Sequence, residues 1–527
     1  MEDDTKNLKA TRQHSDAAAD LQKMGYKQEM TRSRGLSHIL FMTLAIMAVP
    51  YGLAAPIATS LVAGGPATMI WGWVLVSILT LPLALSLGEI CAKYPTSAGA
   101  YYWCFRLASP RHRMLLSWIN GWLTMVGVWT ISLSVTFGTA QLIVAGAGIY
   151  LPDWVVKPWQ TYLIFLGVTG VTVVFCVFFN SILPTIDVIS AYWTLFGVIV
   201  ILVCTSVKAA AGRHSAAFAL GHFDPTPSGW TPGWAFFIGL LPPGMVVILA
   251  QNLGRSPLTA YTFAAIGMTW PKKCTTLPRA ITWSIPIGFI CGVFFLVPIL
   301  FTLPDIATLL AVTSGQPIGL LFQLIMGSKG GGFGLWFIIF GIGMFCAISI
   351  SCAASRATWA FARDAAIPFH RTFALINNRL SPSDGGIPLN AILLSTTIQL
   401  LLGLIYLGSS AAFNAFVGVA VMCLPTSYAM PVFISLLNGR RSVADSPFSL
   451  GKTRGMVLNS IAVVWALFEL VLFSMPAVLP VTPTTMNYAS VVFVAFGLMS
   501  AIWYLINGRY HYKGPEIPED VKQESFD

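Results

Sequence analysis

The chain has 527 residues, of which 56% are hydrophobic and 9% charged, and its formal net charge is +10. Soluble domains carry about a quarter charged residues, so this composition excludes a soluble protein and predicts a polytopic membrane protein. The basic residues lie in short segments between apolar runs, which argues against nucleic-acid binding. The nine cysteines form no C-x-x-C pair and lie mostly within apolar runs, so we expect buried thiols, with no disulfide framework, metal site or cofactor.

Along the chain, a polar beginning and a short polar end flank a long apolar middle. Residues 1–36 lack the apolar core and small-residue cleavage site of a secretory signal, and we predict a disordered cytosolic tail. Residues 37–507 predict a transmembrane domain of about twelve helices, and residues 508–527 a second cytosolic tail. The predicted spans are 37–63, 67–90, 114–143, 159–179, 183–207, 234–266, 279–302, 333–361, 388–408, 411–437, 456–475 and 487–507.

The first span carries helix breakers at its centre. The stretch Ser37–Gly65 is long enough to cross a bilayer, yet Pro50, Gly52 and Pro56 interrupt it. Backbone broken at membrane depth persists only where it faces protein or water, and such spans mark binding sites in secondary transporters. A simple proline kink is the alternative. The candidate binding residues at this break are Pro50, Tyr51, Gly52, Leu53 and Ala54.

Lysine and arginine determine the predicted orientation. If the chain begins in the cytosol and the spans alternate, most of the 30 basic residues fall on the cytosolic side. Cytosolic connections of membrane proteins carry such an excess. We therefore predict that both termini are cytosolic, and the agreement along the whole chain favours an even number of spans.

Three acidic residues lie in or beside the predicted spans, and ionisable groups at such places are functional candidates. Glu89 is at the cytosolic end of the second span and Asp187 near the cytosolic start of the fifth. Each is either a gating or coupling residue, or an interfacial group held by nearby arginines. Glu469 lies deeper and has no charged neighbour in sequence, which predicts either a polar partner on another helix or a proton-carrying role.

Two motifs resemble those of a known superfamily. Residues 89–103 read E-I-C-A-K-Y-P-T-S-A-G-A-Y-Y-W and resemble the E-x-x-S-x-Y-P-x-S-G-G-x-Y motif of the amino acid–polyamine–organocation transporters, with alanine at 92 and 98 in place of serine and glycine. Residues 354–364, A-S-R-A-T-W-A-F-A-R-D, are similar to the S-R-x-x-W-A-F-A-R-D signature of its fungal amino acid/choline branch, which includes GABA and choline permeases. Residues 487–490 and 508–515 also resemble that branch, and the likeness covers roughly 35–515.

This resemblance implies a fold and an activity. The fold is an all-α LeuT-like 5+5 inverted repeat with the first and sixth helices unwound at mid-membrane, plus two C-terminal helices. The activity is import of amino acids or small amines, commonly coupled to protons. In such a site half-helix dipoles bind a carboxylate and freed carbonyls bind an ammonium. Tyr51, Trp129 and Phe137 offer aromatic faces to a cation, or serve only as packing.

Other residues of the motifs are interpreted as parts of a cytosolic gate rather than as substrate contacts. They lie on the predicted cytosolic connections, where Glu89 and Asp364 can pair with basic groups when the inner side closes. The gating and coupling candidates are Glu89, Tyr94, Asp187, Arg356, Asp364 and Glu469.

The sixth span departs from the pattern of the superfamily. Gly239-Leu-Leu-Pro242 and Ala260-Tyr261-Thr262 match its helix, but Gly244–Thr259 has no counterpart there. Residues 269–275 read T-W-P-K-K-C-T. One set of codons compatible with this stretch, ACA-TGG-CCG-AAG-AAG-TGC-AC, encodes M-A-E-E-V-H, the motif of the superfamily, when it is read from the third base. We predict a retained intron and a shifted frame across Gly244–Thr276, with a genuine divergent helix as the alternative. The substrate candidates in this span are Gly239, Pro242, Tyr261 and Thr262.

The sequence therefore predicts a proton-coupled, multi-pass plasma-membrane permease for an amino acid, GABA, choline or a related amine. Its predicted partners are the substrate, protons and the lipid bilayer. The alternatives are a non-transporting nutrient receptor on the same fold and an inactive product of a mis-spliced gene. A membrane enzyme is disfavoured because no catalytic cluster is present in the sequence. Choline would favour an aromatic cage, whereas GABA or an amino acid would favour exposed backbone donors at residues 52–55.

Overall fold

The computed structural model describes residues 36–94, 99–244, 276–312, 316–377, 386–483, 485–512 and 514–515. Within these ranges the chain is helical, without a β-strand. The helices are α1 (Leu36–Met47), α2 (Val49–Ala54), α3 (Ile57–Ala63), α4 (Gly65–Lys93), α5 (Ala100–Leu107), α6 (Arg113–Gly148), α7 (Pro158–Phe178), α8 (Leu183–Lys208), α9 (Ala216–Gly221), α10 (Pro232–Ile238), α11 (Thr276–Phe301), α12 (Ile306–Leu310), α13 (Ile318–Met326), α14 (Lys329–Arg363), α15 (His370–Phe373), α16 (Leu389–Gly408), α17 (Ser410–Leu437), α18 (Lys452–Leu472) and α19 (Ala489–Trp503).

Most of these helices are long and apolar enough to cross a membrane. In the described part of the chain 10 qualify singly, and the bent pair formed by α1–α2 and α3 raises the count to 11. The predicted all-α polytopic fold is thus confirmed, with span limits within a few residues of those expected. The predicted sixth span begins in α10, and its part beyond Gly244 lies outside the described residues, as do both predicted tails apart from residues 36, 508–512 and 514–515.

The helices α4, α6, α14 and α17 form the centre of the bundle, and α19 lies at its edge. The buried share of the most apolar stretch is 78% in α6, 72% in α17, 67% in α4 and 61% in α14, but 6% in α19. Helices in lipid associate through close packing of small residues, and α6 shows this at Gly146. A Cβ atom there would lie 2.2 Å from the Trp336 ring of α14. The helices α6 and α14 therefore pack closely together, and the first span lies against α14.

The first span is interrupted twice. Ala48 adopts the left-handed conformation (φ 42°) between α1 and α2, and the chain bends by 48° between α2 and α3. Pro50 lies in the first turn of α2 and Pro56 lies at the bend, so both prolines flank breaks as expected. Gly52 does not, because its N–H donates to the Ala48 carbonyl at 2.9 Å inside α2.

The sixth span is also interrupted where expected. The helix α10 ends at Ile238, Gly239 and Leu240 form a turn, and helix resumes at residues 241–244. The interrupted spans are the first and the sixth. They are five spans apart, which agrees with an inverted repeat of five helices. The fold thus brings two irregular backbone segments into the interior of a helical bundle, where only protein or a cavity can satisfy their polar groups.

Candidate functional site

The two interrupted spans contact each other directly. The Ser60 hydroxyl of α3 donates to the Gly239 carbonyl at 2.7 Å. At Gly239 a Cβ atom would lie 2.3 Å from Thr68 Cγ2 and 3.0 Å from Ala63 Cβ. Only glycine allows this close approach of the turn to α3 and α4. The junction of the two breaks is therefore formed by backbone and small side chains.

Each proline of the first span frees a carbonyl. Proline has no N–H, so the carbonyls four residues before Pro50 and Pro56, those of Ile46 and Gly52, lose their helical donor. The Cys346 thiol of α14 replaces the donor at the first position and lies 3.3 Å from the Ile46 oxygen. Every residue of α2 is buried. Carbonyls freed in this way at membrane depth can coordinate a cationic group.

Replacing Cys346 by alanine is expected to destabilise the protein by about 1–3 kcal/mol, because a buried acceptor loses its donor. Cys346→Ser is the matched control, since a hydroxyl donates in place of the thiol. The measurement is thermal unfolding of the purified protein in detergent micelles. Equal losses for the two variants would mean that packing, not the hydrogen bond, accounts for the effect.

Tyr51 lies between α6 and α14. Its hydroxyl donates to the Val135 carbonyl at 3.0 Å and accepts a hydrogen bond from Thr139 at 3.3 Å. A Cβ atom at Gly138 would lie 2.7 Å from the Tyr51 hydroxyl, and one at Gly343 would lie 2.7 Å from its ring. Tyr51 therefore fixes α2 against α6 and α14.

The other two aromatic candidates make different contacts. The indole N–H of Trp129 donates to the Thr358 hydroxyl at 2.9 Å, which links α6 to α14. Phe137 packs against the rings of Phe165 and Phe413, with centroids 5.3 and 4.2 Å away. For Phe137 the packing alternative holds, because its ring belongs to a buried apolar cluster.

The remaining substrate candidates divide into two groups. Pro50, Gly52, Leu53 and Ala54 lie together in the buried α2, beside Tyr51. Gly239 forms the turn of the second break, and Pro242 is buried three residues on. Tyr261 and Thr262 lie outside the described residues.

A cavity of about 330 Å³ adjoins the two breaks on one side. Thr59 of α3 lines it, as do Ile238 and Leu241, which flank the Gly239 turn. The sequence did not indicate this cavity. Its walls come from five segments far apart in the chain, and none carries a local motif. The other described lining residues are Asn414, Ala415, Val417, Gly418, Val421, Leu472, Phe473, Met475, Ala477, Thr485, Met486 and Asn487.

Glu89, near the end of α4, forms a buried ion pair. Both of its carboxylate oxygens lie 2.8 Å from Arg440 Nη2, and the Leu450 N–H donates to Oε1 at 2.9 Å. Arg440 Nη1 also donates to Asn459 of α18 at 3.0 Å. The exposed fraction is 1% for the Glu89 side chain and 5% for that of Arg440. Glu89 does pair with an arginine, but with one 351 residues away, and the pair joins α4 to the connection between α17 and α18.

Asp187 contacts a neighbouring helix. Its side chain is buried, and Ser349 of α14 donates to Oδ1 at 2.9 Å. The contact joins α8 to the centre of the bundle. Arg356 of α14 donates to the Asn180 side chain just before α8. These two candidates therefore connect the same pair of helices.

Tyr94 and Asp364 lie near α5. The Tyr94 carbonyl accepts from the Trp103 indole at 2.8 Å, and the Arg106 guanidinium lies 5.4 Å from the Tyr94 ring centroid. Asp364 accepts from the Tyr101 hydroxyl at 2.8 Å. Asp364 also forms an ion pair with its neighbour Arg363 at 3.3 Å. Tyr94 and Asp364 belong to different connections, and the short helix α5 contacts both of them.

Glu469 differs from the other acidic candidates. Its side chain, in the last turn of α18, is 2% exposed. Among the described residues, Oε1 has no hydrogen-bond partner. A buried carboxyl oxygen without a donor is costly unless the group is protonated. Across the same residues no cluster of three or more metal-binding side chains occurs.

Long apolar helices around two interrupted spans define a multi-pass membrane transport protein. The profile of the amino acid permease family matches residues 35–496, and the chain belongs to this family, within the amino acid–polyamine–organocation superfamily. The resemblance read from the motifs is confirmed. Members of the family are transporters rather than enzymes.

Three relatives show the range of the family. The chain is 31% identical to the amino-acid permease BAT1 of Arabidopsis thaliana, with 94% of this chain and 95% of the relative covered. It is 30% identical to a choline transporter of Saccharomyces cerevisiae, covering 92% and 84%. It is also 30% identical to the polyamine transporter TPO5 of the same yeast, covering 94% and 79%.

Proposed function

We propose that the protein is a proton-coupled permease that imports an amino acid, GABA, choline or a related small amine across the plasma membrane, with both termini in the cytosol. One observation carries the proposal: two interrupted spans meet inside the bundle, through the bond from Ser60 to the Gly239 carbonyl. The named substrates of the relatives are amino acids, choline and polyamines. A positively charged nitrogen is common to all of these.

The described part of the site offers acceptors to that charged nitrogen. The helices α2 and α10 both end at the breaks, at Ala54 and Ile238. The C-terminal end of a helix carries partial negative charge. The carbonyl of Gly52, freed by Pro56, adds an acceptor in the same place. We assign the ammonium of the substrate to this region, with Pro50, Tyr51, Gly52, Leu53, Ala54, Gly239 and Pro242 as its surroundings.

The acidic candidates have separate roles in this proposal. Glu89, Asp187 and Asp364 are engaged in ion pairs or hydrogen bonds, which suits residues that hold the inner side of the bundle together, along with Tyr94 and Arg356. Glu469 has a buried carboxyl oxygen without a donor in the described part of the chain. We assign proton coupling to Glu469.

An uptake panel tests the proposal. A host lacking its own permeases expresses the chain as written and a version with the frame restored across Gly244–Thr276, and labelled choline, GABA, amino acids and putrescine are offered in turn. The expected result is accumulation of at least one substrate that collapses with an uncoupler. Activity of the restored version alone would support the splicing explanation. Membrane-inserted protein of both forms without any uptake would contradict a permease and favour a receptor.

A further inference from the structure

We propose that the groove between the ends of α8 and α11 binds a phospholipid. The phosphate of the head group lies on Arg213, and the acyl chains follow the seam between the two helices. The bound lipid holds α8 and α11 together and so stabilises the folded protein. In the orientation proposed above the groove meets the outer leaflet, and only that assignment rests on the proposed function.

The groove is a cavity of about 350 Å³, within the range of ligand pockets, roughly 300–1,000 Å³. Leu202 and Ser206, in the last two turns of α8, form one wall. The other wall comes from the end of α11 and consists of Val297, Pro298, Phe301 and Thr302. Both helices are long and apolar enough to span a membrane. A groove at their ends therefore lies at the level of the lipid head groups.

The charge of the groove determines which group it binds. Of its described lining residues, Arg213 alone is charged. Arg213 Nη2 donates to the Ser206 carbonyl at 2.7 Å, which places the guanidinium at the C-terminal end of α8, and the side chain is exposed. A guanidinium presents further N–H donors in a planar fork that matches a phosphate. Basic pockets between membrane helices bind lipid head groups in this way.

Backbone hydrogen bonds hold the segment that carries Arg213 in place. The Ala210 N–H donates to the Ile325 carbonyl of α13 at 2.8 Å. The His214 N–H donates to the Phe301 carbonyl at the end of α11, also at 2.8 Å. The segment is thus bonded to a neighbouring helix on each side of the arginine. A cation positioned before the ligand arrives lowers the entropic cost of binding.

Exposed apolar side chains continue from the groove toward the middle of both helices. Leu195 and Ile199 precede the lining residues of α8 at spacings of three or four residues, and Ile290 and Phe294 precede those of α11 in the same way. This spacing places each pair on the same face as the groove. More than half of each of these four side chains is exposed. The acyl chains of a phospholipid cover this seam, whereas a soluble phosphate would leave it bare.

Native mass spectrometry of the purified full-length protein with added dioleoyl phosphatidylglycerol tests the site. Arg213→Gln removes the charge but keeps a donor for the Ser206 carbonyl. Lys208→Gln is the matched control, since Lys208 is exposed in the last turn of α8 and does not line the groove. We expect about tenfold weaker binding of the first lipid molecule for Arg213→Gln, because a charge-assisted contact is lost, and no change for the control.

Two fragments of the lipid separate its parts. Dioleoylglycerol has the chains without the phosphate, and glycerol phosphate has the phosphate without the chains. We expect neither to displace the phospholipid from the unaltered protein. Displacement by glycerol phosphate would make this a site for a soluble phosphate, and displacement by dioleoylglycerol would leave Arg213 without a role. Either result overturns the proposal.

Thermal unfolding supplies a second readout. A ligand that binds the folded form raises the melting temperature, so added phospholipid is expected to raise it for the unaltered protein and Lys208→Gln but much less for Arg213→Gln. Leu202→Trp, which fills the groove with an indole, is expected to weaken binding although Arg213 is kept. Equal binding by all three variants would overturn the site. Lipid binding that responds to them in a protein without uptake would retain the site and contradict only the permease.

Discussion

Replacing Arg440 by alanine is expected to cost about 3–5 kcal/mol, because Glu89 then remains buried and charged without its partner. This is a large part of the total stability of a folded protein, about 5–15 kcal/mol. The pair also connects three elements, since Arg440 contacts Glu89 of α4 and Asn459 of α18. The expected observations are a strongly lowered melting temperature and loss of protein from the membrane fraction.

The neighbouring arginine supplies the control for this experiment. Arg441 is exposed, so Arg441→Ala changes the same charge in the same segment without uncovering Glu89. The double substitution Glu89→Leu with Arg440→Met removes both charges, and we expect it to recover much of the lost stability. An equal effect of Arg440→Ala and Arg441→Ala would contradict a structural role for the ion pair.

Glu469→Gln is expected to abolish accumulation of substrate against its gradient while leaving the folded protein intact. Glutamine has nearly the shape of glutamic acid, so the packing of α18 is kept, but its amide does not exchange a proton in the transport cycle. The measurement is uptake driven by an imposed proton gradient, compared with exchange of labelled for unlabelled substrate at equal pH on the two sides. We expect the gradient-driven uptake to be lost and the exchange to remain.

Exchange serves as the internal control, because it requires binding and conformational change but no net proton movement. Glu469→Asp, which retains a titratable carboxyl group, is expected to restore part of the gradient-driven uptake. Gradient-driven accumulation by Glu469→Gln at the level of the unaltered protein would assign coupling to another group.

The interruption of the first span could be predicted from the sequence, because it depends on the residues at the break and not on distant contacts. Pro50 and Pro56 have no N–H, so the interruption of the first span follows from the residues themselves. Gly52 was expected at a break but lies inside α2, because an isolated glycine is tolerated in a helix when its N–H finds the carbonyl four residues earlier. The transmembrane helices can likewise be predicted from length and hydropathy, without knowledge of their tertiary contacts.

The parts that depend on distant contacts were not predictable in this way. Arg440 is 351 residues from Glu89, and the basic residues of the other connections between spans offer many equivalent partners. The hydrogen bond from Ser349 to Asp187 likewise depends on the packing of α8 against α14, which no local feature of the sequence encodes. The cavity beside the Gly239 turn exists only once α3, α10 and α17 are assembled.

The burial of Arg440 also affects how the connection can be modified. Arg440-Arg441-Ser442 reads as a serine preceded by paired arginines, a pattern suited to basophilic protein kinases. In the folded protein the first guanidinium is enclosed by Glu89, Asn459 and the Gly451 carbonyl. A kinase that needs both cations finds only Arg441 on the surface, so phosphorylation of Ser442 would indicate that the contacts of Arg440 have opened.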